Sequence, residues 1–186
     1  MNYIGIDPGF SCTGIYILGD YEGVGTIGFT RNKKTNLWEM RTGFRGIYFR
    51  TAEDLDSDIG NVSRMLMLNQ EISHLLTSEI EGDEAIVGIE YPMGRHRGNG
   101  AKIDQAYAAI ALAAIRIHTV RTYGPGEIKK FVTGKGNAKK ELMLKEIYKR
   151  WGFETDNHNV ADAYAIAQMV KADCGTEEQD EYPRES

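Results

Sequence analysis

Three acidic residues fall where regular elements are expected to begin or end, which makes them candidates for metal chemistry. Asp7 closes a short apolar run at an Asp-Pro-Gly turn, Glu90 closes the apolar run 85–89, and Asp162 lies among apolar residues in the last helical segment. The carboxyl ends of strands in open α/β sheets are where ligands bind. Carboxylates without a His/Cys set suit hard cations such as Mg²⁺ and Mn²⁺, and two such ions can activate water for phosphodiester hydrolysis. The pattern predicts a metal-dependent hydrolase, provided that the three residues meet.

Each of these acids also has an ordinary structural interpretation. An Asp before Pro-Gly is common turn chemistry, and a Glu can simply end a strand. An acidic residue near a helix N-terminus complements the helix dipole. Asp162 is the least ordinary of the three, because a carboxylate among apolar neighbours is costly unless it is paired or bound to metal. The combination carries more weight than any single residue.

The hydrophobic pattern predicts a mixed α/β sheet with helices packed on it. Three strands come first, joined by glycine-containing breaks as in an antiparallel meander, and strands then alternate with helices. The predicted strands are 2–6, 13–18, 25–30, 85–89 and 120–123; the predicted helices are 58–80, 103–117, 127–132, 138–151 and 159–171. Residues 31–56 are polar and aromatic-rich, and we interpret them as an insertion that forms a hairpin or a loop.

Composition indicates one globular domain, assigned to residues 1–172. Of the 186 residues, 41% are hydrophobic and 26% charged, a balance that argues against a disordered or collagenous chain. The sequence has no signal-like start and no apolar run of membrane-spanning length. The two cysteines, Cys12 and Cys174, do not make a disulfide framework or a zinc site. We therefore expect a cytoplasmic protein that does not associate with membranes.

Charge is unevenly distributed along the chain. The net charge is −5, which by itself disfavours binding to phosphate backbones. Residues 173–186 alone carry −5, and we predict that this acidic tail is disordered. Residues 129–150 contain eight Lys or Arg against two Glu. This basic segment can supply contacts to a nucleic-acid backbone, although a solvated helix face is the usual meaning of such a pattern.

Four blocks of the sequence resemble RuvC-type Holliday-junction resolvases, and they occur in the order of that family. They are residues 4–9 with Thr13 and Gly14 (IGIDPG, TG), residues 86–90 (IVGIE), the segment from Tyr123 through 129–140 (KKFVTGKGNAKK), and residues 159–167 (NVADAYAIA). Asp-Pro-Gly alone is a weak motif, whereas four blocks in order are specific. The insertion 31–56 and the acidic tail lie outside the resemblance, and we interpret the departures as those of a phage or otherwise divergent member.

The resemblance implies a ribonuclease-H-like fold, a homodimer, and Mg²⁺-dependent paired nicking of four-way DNA junctions, with Mn²⁺ as a substitute ion. Asp7, Glu90 and Asp162 match catalytic metal ligands of the family, and the nicks are expected to leave 5′-phosphate and 3′-hydroxyl ends. The residues that we expect to contact DNA are Met93, Arg95, Arg97, Lys129, Lys130, Lys135, Lys139 and Lys140.

Two positions depart from the family pattern. A fourth ligand, Asp or His, is expected three residues before the helix carboxylate, where this chain has Asn159. Asn159 and Asp162 share a helix face, and Mg²⁺ prefers oxygen to imidazole nitrogen, so Asn159 is the preferred ligand. The neighbouring His158 is the alternative if the helix begins one residue earlier. The second departure is Met93, which stands where the family tends to place an aromatic wedge; methionine can also wedge between bases, but it stacks less well.

Other functions remain to be weighed against a junction resolvase. An actin-like ATPase also opens with a strand and an Asp-x-Gly turn, but this chain is too short for the second lobe that such a protein needs. A catalytically silent nucleic-acid-binding module would retain the fold, yet three unneutralised carboxylates would repel phosphate. A nuclease with broader activity on flaps and other branched DNA has the same sequence features, so cleavage assays must separate it from a resolvase.

Overall fold

The computed structural model describes residues 1–20, 22–31, 33–34, 38–42, 46–51, 58–78, 80, 84–93 and 100–180. In this part of the chain seven strands form one sheet. Their bounds are β1 Asn2–Asp7, β2 Cys12–Leu18, β3 Gly23–Arg31, β4 Trp38–Thr42, β5 Gly46–Thr51, β6 Ala85–Glu90 and β7 Thr119–Tyr123.

The sheet is mixed, with strand order β5-β4-β3-β2-β1-β6-β7. Strands β1 to β5 pair in an antiparallel meander. Strands β6 and β7 add in parallel on the other side of β1. Short turns suffice for the antiparallel strands, whereas each parallel addition needs a crossover helix. The carboxyl ends of β1, β6 and β7 therefore meet at one edge of the sheet.

Five helices cover the two faces of this sheet in the described residues. Their bounds are α1 Asp58–Ser78, α2 Gly100–Ala114, α3 Pro125–Thr133, α4 Lys140–Trp151 and α5 His158–Asp180. Helices α1 and α2 pack side by side, and the Asn69 amide donates a hydrogen bond of 2.7 Å to the Ala109 carbonyl between them. Their core includes Ile4, Ile15, Phe29, Met40, Leu68, Val87 and Ile110. Helices α3, α4 and α5 build the other core, which includes Tyr16, Tyr123, Ile128, Met143, Tyr164 and Ile166.

Helix α5 lies directly on the backbone of the central strands because Gly5, Gly14 and Gly88 carry no side chain. A Cβ added to Gly5 in β1 would lie 1.9 Å from the carbonyl oxygen of Ala163 in α5. A Cβ on Gly88 in β6 would lie 2.4 Å from a methyl carbon of Val170. Real Cβ atoms do not approach so closely, so these glycines and the alanine-rich face of α5 allow the contact together. This packing fixes the height of α5 above the sheet.

The structure confirms most of the predicted elements and resolves one open alternative. The insertion forms a hairpin rather than a loop in its described part, since β4 and β5 pair antiparallel and extend the sheet beyond β3. Residues 52–56 of the insertion lie outside the described residues. Helix α2 begins three residues earlier than predicted, at Gly100, and ends at Ala114.

The prediction of a disordered tail is wrong for residues 173–180. Helix α5 continues to Asp180 instead of ending at 171. Glu177, Glu178 and Gln179 are good helix formers, and two residues of this extension are held by tertiary contacts. The Tyr123 hydroxyl donates a hydrogen bond of 2.8 Å to Asp173, and Cys174 is buried. Residues 181–186 lie outside the described residues.

None of the helices in the described residues combines the length and the apolar character that crossing a bilayer requires.

Candidate active site

Asp7 and Glu90 lie side by side at the carboxyl ends of adjacent parallel strands. Ile6 of β1 is in register with Ile89 of β6, so the next residue of each strand is the acid. Successive strand residues face opposite sides of a sheet. Asp7 therefore shares the face of Gly5, two residues earlier, which is the face that α5 covers.

Helix α5 brings Asp162 to the same place. Ala163, the next residue, lies over Gly5, and Asn159, one turn earlier, lies over Gly14. Gly14 is in turn the antiparallel partner of Asp7. The start of α5 therefore packs on both β1, which bears Asp7, and its neighbour β2. Asp162 lies between these two contact points, in the first turns of the helix.

The first turn of α5 is well capped. The Asn157 side-chain oxygen accepts hydrogen bonds from the backbone N–H groups of Asn159, at 3.0 Å, and Val160, at 3.4 Å. An Asn at this position satisfies donors that would otherwise lack a partner at a helix start. The cap sets the register with which Asp162 meets the sheet.

The three carboxylates act on one another electrostatically. Burial, followed by repulsion from Glu90 and Asp162, raises the pKa of Asp7 well above its usual value. Burial and then the Asp162 charge raise the pKa of Glu90 to about 7. Burial also raises the pKa of Asp162. Taking several carboxylates out of water at one place is costly unless a cation accompanies them.

Two lysines lie within electrostatic range of these acids. Lys140, the first residue of α4, lowers the pKa of all three carboxylates and so opposes the effect of burial. Lys129, in α3, does the same for Glu90 and Asp162. Both were predicted as DNA contacts. The structure adds that they stand beside the acids, which sequence reasoning missed because their proximity depends on how α3 and α4 dock.

The acids suit a divalent metal ion by their chemistry. Their donor atoms are all oxygen, as Mg²⁺ and Mn²⁺ prefer. Their pKa values are raised because the ionised carboxylates are destabilised, and a bound cation would stabilise them. Within the described ranges, no group of three or more His, Cys, Asp or Glu side chains is already arranged to hold a metal ion. The assignment of metal ligands therefore stays a prediction, supported by the electrostatics and by the donor set.

Asn159 and His158 occupy different environments at the start of α5. The Asn159 side-chain nitrogen donates a hydrogen bond of 3.4 Å to the Cys12 carbonyl, which ties the amide to β2 beside Asp7. His158 is the first helical residue and is exposed, and its charge lowers the pKa of Asp162. Both residues line an open pocket with Lys140 and Asp156. The structure thus brings both candidates near the acids.

The remaining predicted DNA contacts fall into two groups. Lys130, Lys135 and Lys139 are exposed on α3 and on the loop that leads to α4. The end of α3 is tied to that loop by the Thr133 hydroxyl, which accepts a hydrogen bond of 3.1 Å from the backbone N–H of Lys135. Arg95 and Arg97 lie outside the described residues.

Met93 is exposed at the edge where the acids lie, together with an aromatic residue that sequence reasoning did not single out. The side chain of Met93 is 55% exposed and that of Tyr91 is 48% exposed. Tyr91 stands edge-on against Tyr107 of α2, with ring centroids 5.4 Å apart. The signal for Tyr91 was present, since it directly follows Glu90.

A cation–aromatic cluster supports the turn after Asp7. The guanidinium of Arg64 lies 4.3 Å from the centroid of the Phe10 ring, and the Lys102 amine lies 5.0 Å from it. Such contacts contribute about 0.5–2 kcal/mol each. They tie α1 and α2 to the loop that follows Asp7.

Solved structures of RuvC share the fold of this chain. RuvC of Thermus thermophilus matches with a TM-score of 0.60 and 20% identity, over 95% of this chain and 98% of that one. The same protein in complex with a Holliday junction substrate matches with a TM-score of 0.58, over 95% and 97% of the two chains. The chain therefore has the ribonuclease-H-like fold that was predicted.

Sequence comparison gives the family. The model of the crossover junction endodeoxyribonuclease RuvC family matches residues 54–169. The RuvC of Wolbachia pipientis is 25% identical over 170 residues, covering 88% of this chain and 90% of that protein. The RuvC of Salinibacter ruber is 39% identical over 84 residues, covering 42% of this chain and 46% of that one. The chain belongs to the RuvC family of crossover junction endodeoxyribonucleases, which confirms the predictions of a resolvase relative and of a nuclease.

Proposed function

We propose that this chain resolves four-way DNA junctions by paired, Mg²⁺-dependent nicks, with Asp7, Glu90 and Asp162 as the metal-holding residues. The observation that carries the proposal is electrostatic: besides burial, the Asp162 charge raises the pKa of both Asp7 and Glu90, and Lys140 lowers the pKa of all three carboxyl groups. Several partly buried carboxyl groups at one place would bind divalent cations, which phosphodiester hydrolysis of this kind requires.

The acids would hold the metal ions at the carboxyl ends of β1 and β6. Mg²⁺ bound there would supply an activated water and stabilise the leaving oxygen of the phosphodiester. Asp7 stands between the other elements, beside Glu90 across the strand pair and beneath the start of α5. Asp7 would therefore hold the metal ions together with both Glu90 and Asp162.

Asn159 is our choice for the fourth position. Its side-chain nitrogen donates a hydrogen bond to the Cys12 carbonyl. The side-chain oxygen is therefore the atom of the amide that would coordinate a metal ion. His158 then supports Asp162 through its charge. We expect Asn159→Leu to raise the Mg²⁺ concentration needed for cleavage more than His158→Ala does.

Lys129 and Lys140 would accompany the phosphate. Their amines already offset the charge of the acids, so they are positioned to offset developing charge on a phosphodiester at the same edge. The exposed Lys130, Lys135 and Lys139 lie farther out, and we assign them to backbone contacts that position the DNA without reading its sequence.

A homodimer would place two active sites on one junction. Paired nicks at symmetrical positions call for two sites related by a two-fold axis. Helices α1 and α2 expose the large apolar side chains of Val62, Leu66 and Leu112, and Ile115 is exposed directly after α2. A second copy of this chain is the occupant that we propose for this face.

Analytical ultracentrifugation tests the dimer. The wild-type protein should sediment as a dimer, and Leu112→Glu with Ile115→Glu should sediment as a monomer. Val24, an exposed apolar residue of β3, provides the control variant Val24→Glu. A wild-type monomer, both free and on junction DNA, would contradict the dimer.

The decisive functional experiment compares DNA shapes. Cleavage is measured with Mg²⁺ on four-way, three-way, flap and linear DNA that share one central sequence, and the products are then treated with DNA ligase. The proposal predicts preferential cutting of the four-way junction and nicks that ligase can seal. Equal cutting of flaps would indicate a broader branched-DNA nuclease, and binding without cleavage would indicate a catalytically silent module.

A further inference from the structure

The inserted hairpin concentrates positive charge in an acidic protein. Residues 31–51 contain six Lys or Arg and one acidic residue, a net charge of +5, while the whole chain carries −5. The rest of the chain therefore carries −10. The family model matches only from residue 54 onward, so this basic segment lies outside the matched region.

The register of the sheet places part of this charge at the catalytic edge. Asp7 of β1 pairs with Gly14 of β2. Two residues nearer the catalytic edge, Cys12 of β2 pairs with Gly28 of β3. Gly28 in turn pairs with Arg41 of β4. Strand β3 runs parallel to β1 through two antiparallel pairings. The carboxyl end of β3 and the turn that follows it therefore lie at the same end of the sheet as Asp7.

The basic residues at this end are open to solvent. Arg31 ends β3, and Lys33 and Lys34 lie in the turn toward β4; all three side chains are exposed. Neighbouring strands are about 4.8 Å apart and residues about 3.4 Å apart along a strand. Arg41 is displaced from Asp7 by three strand spacings across the sheet and by two residues along the strands. The two Cα atoms are therefore roughly 16 Å apart.

Arg41 lies on the same face of the sheet as Asp7 and is held in place. Residues paired across antiparallel strands share a face, so the chain of pairs that ends at Arg41 follows the face of Asp7. Met40, the residue before it, is buried in the core on the opposite face. The Arg41 guanidinium lies 2.8 Å from Glu39, whose side chain is 1% exposed, while that of Arg41 is 55% exposed.

A buried carboxylate that orients an exposed guanidinium suits a binding role. One nitrogen of the guanidinium contacts Glu39, and the Arg41 side chain is exposed, so its other N–H donors are accessible to a ligand. The planar guanidinium fork binds phosphate oxygens well. Arg31, Lys33 and Lys34 lie farther out at the same end of the sheet, with Arg31 on the opposite face from Arg41 because strand residues alternate between faces. We call the basic end of the sheet formed by these three residues and Arg41 the hairpin surface.

We infer that the hairpin surface is a second DNA-binding site, which holds the phosphate backbone of the duplex arm leading away from the scissile phosphate. The inference rests on the proposed function, because it assumes that a junction strand enters at Asp7. Duplex DNA rises about 3.4 Å for each base pair. A separation of roughly 16 Å thus corresponds to contacts about five base pairs from the cut.

The test measures binding separately from cleavage. Junction binding is titrated across salt concentrations, in Ca²⁺ to prevent cutting, for wild type and for the triple variant Arg31→Gln, Lys33→Gln, Lys34→Gln. We expect the triple variant to lower the salt slope by about 2–3 units, at about 0.9 for each lost contact. The single variant Arg31→Lys preserves the charge of all three positions and should retain the wild-type slope.

Lys171→Gln, on the exposed part of α5, is the control for loss of a positive charge. Thermal unfolding confirms that each variant is folded. A salt slope for the triple variant equal to that of Lys171→Gln would overturn the inference. The inference would also be overturned if the triple variant bound a polyglutamate peptide more weakly than wild type but bound the junction equally well. The hairpin surface would then be a site for an acidic peptide.

Methylphosphonate substitution locates the contact along the arm. Replacing single phosphates with uncharged methylphosphonates should weaken wild-type binding near the fifth base pair from the cut, and Arg41→Gln should abolish this position-specific effect. Interference that persists unchanged in Arg41→Gln would contradict the assignment. If wild type neither binds nor cuts junctions, the proposed function itself fails; if wild type does both and the variants match it, only the hairpin surface is refuted.

Discussion

The catalytic edge and the inserted hairpin use charge in opposite ways. At the edge, partly buried acidic side chains lie close to a helix that rests on glycine backbone, and burial raises their pKa values. In the hairpin, basic side chains are exposed at the end of the sheet, and one of them is oriented by a buried acid. The first arrangement is costly for the fold and leaves little freedom of position. The second costs little, so its sequence can vary as long as its charge remains.

The difference indicates how this fold divides its work. Chemistry requires atoms fixed to fractions of an ångström, and the close contact of α5 with Gly5 and Gly14 provides that. Attraction of a polyanion requires only charge within reach. We therefore expect variants of the edge to affect cleavage and variants of the hairpin to affect affinity.

Removing one acid should have the largest effect on activity. Asp7→Asn or Glu90→Gln should lower the cleavage rate of a four-way junction by about 10³-fold or more, while binding in Ca²⁺ and the melting temperature stay near or above wild type. Glu84 stands just before β6, at the end opposite Glu90, and is exposed, so Glu84→Gln is the matched control. Cleavage near the wild-type rate in either acid variant would remove the active-site assignment.

Filling the contact between β1 and α5 should damage fold and activity together. In Gly5→Ala the new methyl group would meet the Ala163 carbonyl at 1.9 Å, so the helix that bears Asp162 must move. Overpacking of this kind costs about 1–3 kcal/mol or more. In Gly28→Ala the nearest atom lies at 3.5 Å, an ordinary contact, and urea unfolding should separate the two variants. Equal stability of the two would refute the close packing.

The buried carboxylates should make stability depend on pH and metal. The pKa of Glu90 rises from an ordinary 4.5 to about 7 on folding, and that of Asp7 rises as well, so the folded chain binds protons more tightly than the unfolded chain. The stabilisation is complete below about pH 4 and is lost as pH rises through about 7. In EDTA the melting temperature should fall between pH 5 and pH 8, by about 2–4 °C for each kcal/mol.

Two comparisons sharpen that experiment. Mg²⁺ should raise the melting temperature at pH 8 more than at pH 5, because the ionised acids bind it. Glu90→Gln should flatten the fall in EDTA, whereas Glu84→Gln should leave it unchanged. A melting temperature that rises over this pH range in EDTA would contradict the raised pKa values.

The lysines beside the acids should show the smallest change. Replacing Lys129 and Lys140 with Gln should weaken binding to all DNA shapes and reduce the salt slope by about 1.8 units on duplex arms. Because both amines also oppose the raised pKa of Glu90, the pH profile of cleavage should shift to higher pH. Lys171→Gln should change neither quantity. An unchanged slope would return these lysines to a solvated helix face.

The sequence predicted the parts of the site that depend on local pattern. Asp7 and Glu90 were identifiable because each ends an apolar run, and strand ends of that kind meet at one edge. The extension of α5 was missed because Asp173 reads as acidic tail, while its contact with Tyr123 is visible only in the fold. The proximity of Lys140 to the acids was missed for the same reason.

The hairpin illustrates the other limit of sequence reasoning. Its strands were left open between hairpin and loop, because β4 is short and polar in pattern. Its charge can be counted from the sequence, but the position of Arg41 relative to Asp7 follows from three successive strand pairings. A register error of one residue would have moved Arg41 to the other face.

Metal binding by the acids is the central claim, and Mn²⁺ titration followed by electron paramagnetic resonance tests it most directly. The measurement is made with the full chain and uncut junction DNA, and it reports bound Mn²⁺ independently of cleavage. The account predicts saturable binding by wild type and Glu84→Gln, and at least about tenfold weaker binding by Asp7→Asn and Glu90→Gln. Equal Mn²⁺ affinity in all four proteins would contradict it.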